Sequence, residues 1–299
     1  MSPPLPFWLS LCLPVIAVIG LIHGGWTVLL VAPSAWLLFT LLDALTGHNT
    51  ANPDPLTPED RLTWYRALTL IWFPIQLALL LAMLWYVPRA PHLGTAEAVG
   101  LFFGMGVISG TIGITYAHEL MHQKPRLERG LADLLLATVL YSHFRSEHLR
   151  VHHLHVGTPR DTVTARYNEG FHRFFPRVLR QSPASAWRAE TLMLARRGLS
   201  PWHRSNPFWR YGVLQGTMLA LAFSLGGWEG LGLFLFQAFI AIWQLELTNY
   251  VEHYGLTRRH LGEGVVDMVL ANSNLPSEPL PAAWQSEPVL APGDADYGG

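Results

Sequence analysis

The chain has 299 residues, half of them hydrophobic and only 14% charged, against roughly 25% charged in soluble domains. Mean hydropathy is positive, at +0.24, which points to an integral membrane protein. The formal net charge of −1 gives no reason to expect a nucleic-acid partner. The single cysteine, Cys12, lies in an apolar run, which leaves out a disulfide framework and a thiolate metal site.

A spanning helix needs about 20 mostly apolar residues. Six stretches meet that need: 6–22, 26–45, 66–87, 95–117, 211–227 and 229–250. The first has no basic residue ahead of it, since the first arginine is Arg61, and so reads as a span rather than a signal peptide. The apolar stretch 130–142 is too short to cross and reads as a re-entrant or interfacial helix. The expectation is an all-α integral membrane protein with six transmembrane helices and a histidine-rich cytoplasmic cap. If the N-terminus is cytoplasmic, the external loops are 23–25, 88–94 and a tight turn near Trp228. Of the 20 basic residues only Arg89 then lies plainly outside, as the positive-inside rule favours. Both termini are expected in the cytoplasm, and the membrane is expected to be a bacterial inner membrane. Trp26, Trp85 and Tyr86 read as interface anchors.

Three motifs then fall at the cytoplasmic ends of spans. "AHELMHQ" carries His118 and His122 four residues apart, "EHLRVHH" repeats that spacing with His148 and His152 and adds His153, and "NYVEHYGL" carries His253. Side chains at i and i+4 share a helix face, so each pair can grip one metal, with His153 about 100° round the helix. Imidazole suits Zn, Cu, Fe and Ni alike, so ligand type does not choose the metal. HExxH is also the zinc-hydrolase signature, with Glu119 as the base that activates water. One catalytic zinc wants three protein ligands, however, and six histidines point to two metals. His143 precedes its box without the spacing and His155 lies beyond it; both read as supporting or structural. Carboxylates that could orient the imidazoles are Glu119, Asp161 and Glu252. His23, His48, His92, His172, His203 and His260 read as loop or interfacial residues.

"HELMHQ", "EHLRVHHLHVGTPRDTVTAR" and "NYVEHYGL" together resemble the signatures of membrane-bound alkane 1-monooxygenases, within the fatty acid desaturase and hydroxylase superfamily. The resemblance runs to about residue 263 and includes "LLDALTGHNTANP" and "SAWRAE"; Gln123 stands where the family usually has lysine and Val151 where it has glycine. It implies a non-haem di-iron site held by His118, His122, His148, His152, His153 and His253. It also implies insertion of one oxygen atom of O2 into the terminal methyl of an alkane, with electrons from a rubredoxin. A desaturase would share the boxes but not the "HVGTPRDTVTAR" continuation. The family's further H-x-x-H-H box is not found after His253. Residues 1–263 therefore read as the hydroxylase domain, and 264–299, rich in proline, as a disordered, truncated or frame-shifted tail. A zinc-dependent membrane hydrolase and an inactive family member stay open as alternatives.

Overall fold

The computed structural model describes residues 8–38, 40, 41, 44, 63–262 and 265–270. "LLDALTGHNTANP" and the stretch from residue 271 onward lie outside them, apart from Leu41 and Ala44. The described residues are mostly helical. In chain order they form α1 (Cys12–His23), α2 (Thr63–Tyr86), α3 (Thr95–Met121), α4 (Arg126–Ala137), α5 (Phe144–Glu147), α6 (Phe171–Arg196) and α7 (Pro207–His253). Two antiparallel strands follow, β1 (Thr257–Gly262) and β2 (Val265–Leu270), with Thr257 opposite Leu270 and Gly262 opposite Val265. The mostly helical chain agrees with the all-α expectation, to which this short hairpin is an addition; valines 265, 266 and 269 favour extended backbone.

Among the described residues three helices are long and apolar enough to cross a membrane: Thr63–Arg89, Thr95–Met121 and Pro207–His253; Leu9–His23 and Gly25–Leu37 are shorter apolar helices. The third is not one rod. Gly227 has φ 61° and ψ −152°, a region essentially restricted to glycine. A Cβ on Gly230 would stand 3.0 Å from the carbonyl oxygen of Ala222. Eight residues of straight helix would separate those positions by about 12 Å, so the chain doubles back at Gly227. The same device closes α1. Gly24 has φ 63° and ψ −156°, and Gly20 faces the backbone of Thr27 and Val28. The loop expected at 23–25 and the tight turn expected near Trp228 thus both use a glycine of nearly identical torsion, Gly24 and Gly227, and Gly25 beside the first also has positive φ.

The chain divides into two compact units: Met1–Arg145 with Arg204–Leu245, and Ser146–His203 with Glu246–Gly299. The first buries Leu68, Trp72, Leu80, Met83, Phe102, Met105, Ile108, Leu120 and Phe234, with Trp72 edge-on to Tyr116 at 5.5 Å. Within it α4 occupies much of the short apolar stretch. Its one buried aspartate, Asp133, is held by Arg145 at 2.7 Å and Arg210 at 2.8 Å, while Glu128 pairs with Arg66. The second unit has a smaller core of Val163, Ala165, Phe174 and Val178, covered by Phe171 and Tyr250. Helix α6 turns Phe174, Val178, Ser182, Ser185, Ala186, Glu190 and Leu194 inward, a one-sided spacing of three and four residues.

Candidate metal centre

In the first unit the "HELMH" box ends α3. His118 and His122 come from one helix face, their ring centroids 4.8 Å apart. Glu119 lies largely in solvent, 3.5 Å from His118 Nδ1, longer than a good hydrogen bond.

In the second unit the local helix differs from the expected one. Residues His148–His152 form a π-helical stretch that leads into a last turn, His153–His155. A π-turn closes on i+5 rather than i+4, so His153 comes onto the face of His148 instead of standing 100° away. Their Nε2 atoms face each other at 2.8 Å, while the His148 and His152 rings stack at 5.2 Å between centroids. Two imidazoles bound to one metal at about 2.1 Å each hold their nitrogens roughly 3 Å apart. The 2.8 Å pair fits that requirement.

Two further rings are set by their outer nitrogens. His152 Nδ1 lies 2.9 Å from Asp161 Oδ2, and His253 Nδ1 lies 2.8 Å from the carbonyl of Asn249. Both partners only accept, so both Nδ1 atoms carry the proton, and Nε2 is left as the free donor to a metal. The two rings are 4.8 Å apart. Asp161 is itself fixed: Thr164 Oγ1 donates to it at 2.6 Å and the Val163 amide at 3.2 Å. Burial alone would raise its pKa, but the bonds from His152, Thr164 and Val163 hold it below the usual carboxylate range.

Of the three expected carboxylates, Asp161 orients an imidazole. Glu252 is exposed on the last turn of α7, and the neighbouring His253 is oriented instead by the Asn249 carbonyl. The carboxylate that composition and spacing passed over is Glu147, next to His148. It is fully buried, takes a hydrogen bond from Thr162 at 3.0 Å, and has no partner at Oε2. Burial raises its pKa well above the ordinary value, and the nearby charges of Asp161 and Glu246 add to that. Glu246, also buried, accepts from Asn249 Nδ2 at 3.2 Å. His155 stays outside these pairs, its carbonyl taking the amide and hydroxyl of Thr158.

The loop between the second box and α6 has no regular structure, yet it is pinned. Arg177, from α6, donates to the carbonyls of Thr162 (2.7 Å) and Thr164 (3.2 Å) and to both carboxylate oxygens of Glu169 (2.7 Å each). That fixes the segment that presents Asp161.

The family model "fatty acid desaturase" matches residues 95–292. The chain belongs to the fatty acid desaturase family. It is 37% identical over 273 residues to alkane 1-monooxygenase 2 of Pseudomonas aeruginosa, covering 86% of this chain and 71% of that one. Alkane 1-monooxygenase 1 of the same organism is 37% identical over 232 residues, 75% of this chain and 59% of the relative. The hydroxylase component of the xylene/toluene monooxygenase of Pseudomonas putida is 32% identical over 163 residues, 54% and 44% of the two chains. The matched region of this desaturase-family chain holds all three histidine boxes.

Proposed function

We propose that this chain is an alkane 1-monooxygenase that converts a terminal methyl group to a primary alcohol, consuming O2, two electrons and two protons and releasing water. The observation that carries the reading is the 2.8 Å approach of His148 Nε2 to His153 Nε2, in a chain whose relatives are alkane 1-monooxygenases. His118, His122, His148, His152, His153 and His253 would hold two irons, which supply oxygen activation and cleavage of the strong C–H bond. The residues around them do the positioning. Asp161 keeps His152 in the Nδ1–H form, Asn249 does the same for His253, and the buried Glu147 lies close enough to Asp161 for that charge to add to the upward shift of its pKa.

Six membrane spans are supported by the reversal at Gly227, which makes two helices of α7. The arginine distribution supports cytoplasmic termini in an inner membrane. The electron donor is proposed to be a rubredoxin, by likeness to the family. The zinc-hydrolase reading is weakened by Glu119, whose carboxylate is largely exposed and lies beside Nδ1 of His118.

Elemental analysis of the detergent-purified chain, followed by product analysis with octane-length alkanes and a reduced rubredoxin, tests the reading. Two irons per chain and a primary alcohol are the expected result. One zinc and no product would overturn it.

A further inference from the structure

The middle of α3 is not α-helical. Ser109–Ile114 is a π-helical stretch, and four residues beyond it stands His118. A π-turn is in effect one residue inserted into an α-helix. Closing it would turn everything downstream by about 100° and move it by about 1.5 Å. The angular setting of both "HELMH" imidazoles relative to the rest of α3 therefore depends on this turn.

Two glutamine amides from other helices of the same unit occupy it. Gln76 of α2 fills the notch at Gly113, where any Cβ would overlap its amide, and it is held from both sides: Trp72 Nε1 donates to it at 2.8 Å, and it donates to Thr138 Oγ1 at 2.9 Å. Gln244 of α7 fills the notch at Gly110, where a Cβ would stand 2.6 Å from its Nε2. That Nε2 donates to the Gly106 carbonyl at 3.1 Å, just ahead of the turn, and its Oε1 accepts from Thr111 within the turn at 3.2 Å and from Trp36 at 3.3 Å. The helix ladder shifts register at a π-turn and leaves backbone carbonyls in need of donors. In a hydrocarbon phase such a donor must come from the protein. Gln244 supplies one, and the two glycines give the amides room.

We propose that Gln76 and Gln244 are positioning residues for the metal centre: they lock the π-turn of α3 and so set the rotational phase of His118 and His122. This rests on the reading that those two histidines bind iron. Polar side chains in spans are retained for function more often than for stability, and here the function is indexing a helix.

The test uses the full chain in detergent, with iron per chain by elemental analysis and the Mössbauer spectrum of isotopically enriched iron as readouts. Insertion of one alanine after Thr115 turns both imidazoles by about 100° and should weaken iron binding about tenfold, the scale for lost ligand orientation. Deletion of Thr111 removes the extra residue, leaves an ordinary α-helix with the histidines still in phase, and should keep iron content and spectrum and make them insensitive to Gln244→Met. Gln244→Met and Gly113→Ala, which keep chain length, should change the spectrum and lower iron content. His118→Ala separates the two layers: if it keeps full iron, the ligand assignment fails rather than the indexing. With His118→Ala depleted, an insertion that keeps iron and spectrum, or a Gln244→Met effect that is the same with and without Thr111, overturns the proposal. Should the insertion or the deletion not elute as the parent does, unchanged iron and spectrum in both Gln244→Met and Gly113→Ala overturn it, and altered values support it.

Discussion

Acidification should unfold this protein partly through His143, a residue outside every metal box. One edge of the residue reaches solvent, but Nε2 is buried without a hydrogen-bond partner and the ring sits 4.3 Å from that of Tyr141. Burial lowers its pKa from 6.5 to about 4. The unfolded chain takes up a proton near pH 6.5 while the folded chain refuses it until about pH 4. Stability from this group is therefore fully present above pH 6.5, is lost progressively as pH falls towards 4, and changes no further below that. At 1.36 kcal/mol per pH unit the gap amounts to at most roughly 3 kcal/mol, reduced by whatever the exposed edge recovers from water. The assay is thermal unfolding in detergent between pH 8 and pH 4, for the parent and for His143→Gln. Other histidines titrate in both, so the difference between the two curves isolates this ring. The variant should start lower at pH 8 and lose less on acidification, the two curves converging by several degrees. Parallel curves would refute the reasoning.

Three further outcomes follow from the geometry. Asp161→Ala removes the acceptor that fixes His152, and iron affinity measured by chelator competition should fall 10–100-fold; unchanged affinity would mean the carboxylate does not support the metal. Glu119→Gln should leave iron content and alkane hydroxylation within a few-fold of the parent, whereas an abolished activity would restore Glu119 as a base. Gly227→Ala forces a Cβ into a backbone region reserved for glycine and should cost about 1–3 kcal/mol, read as a lower unfolding temperature; an unaltered transition would show that the turn adopts another conformation.

Much of the architecture was legible because hydrocarbon solvent permits few solutions. Long apolar runs gave α2, α3 and α7, and the glycine-marked turns near residues 24 and 228 fell where expected. The box spacings identified the clustering histidines. What escaped was tertiary or subtle in register. Nothing in "HLRVH" distinguishes π from α, so the pairing of His148 with His153 was out of reach of an i, i+4 reading. Glu252 and Glu147 flank histidines in the same way, and only packing decides that one faces solvent while the other is sealed beside Asp161. Helix α6 carries little apolar signal because its inward face mixes serine, alanine and glutamate with its large hydrophobes.

Arg177 has a consequence for motion. A loop without regular structure, such as the one from Gly157 to Gly170, would ordinarily open on its own and exchange its amide hydrogens quickly. Here one guanidinium reaches Thr162, Thr164 and Glu169 from a buried position on α6. The loop can separate only if that helix residue lets go of all three together, against the geometric match of a planar fork to its acceptors. Opening of the loop and loosening of α6 around Arg177 thus become one cooperative event, and the amides from Thr162 to Glu169 should share the protection of the helix rather than the fast exchange of a surface loop.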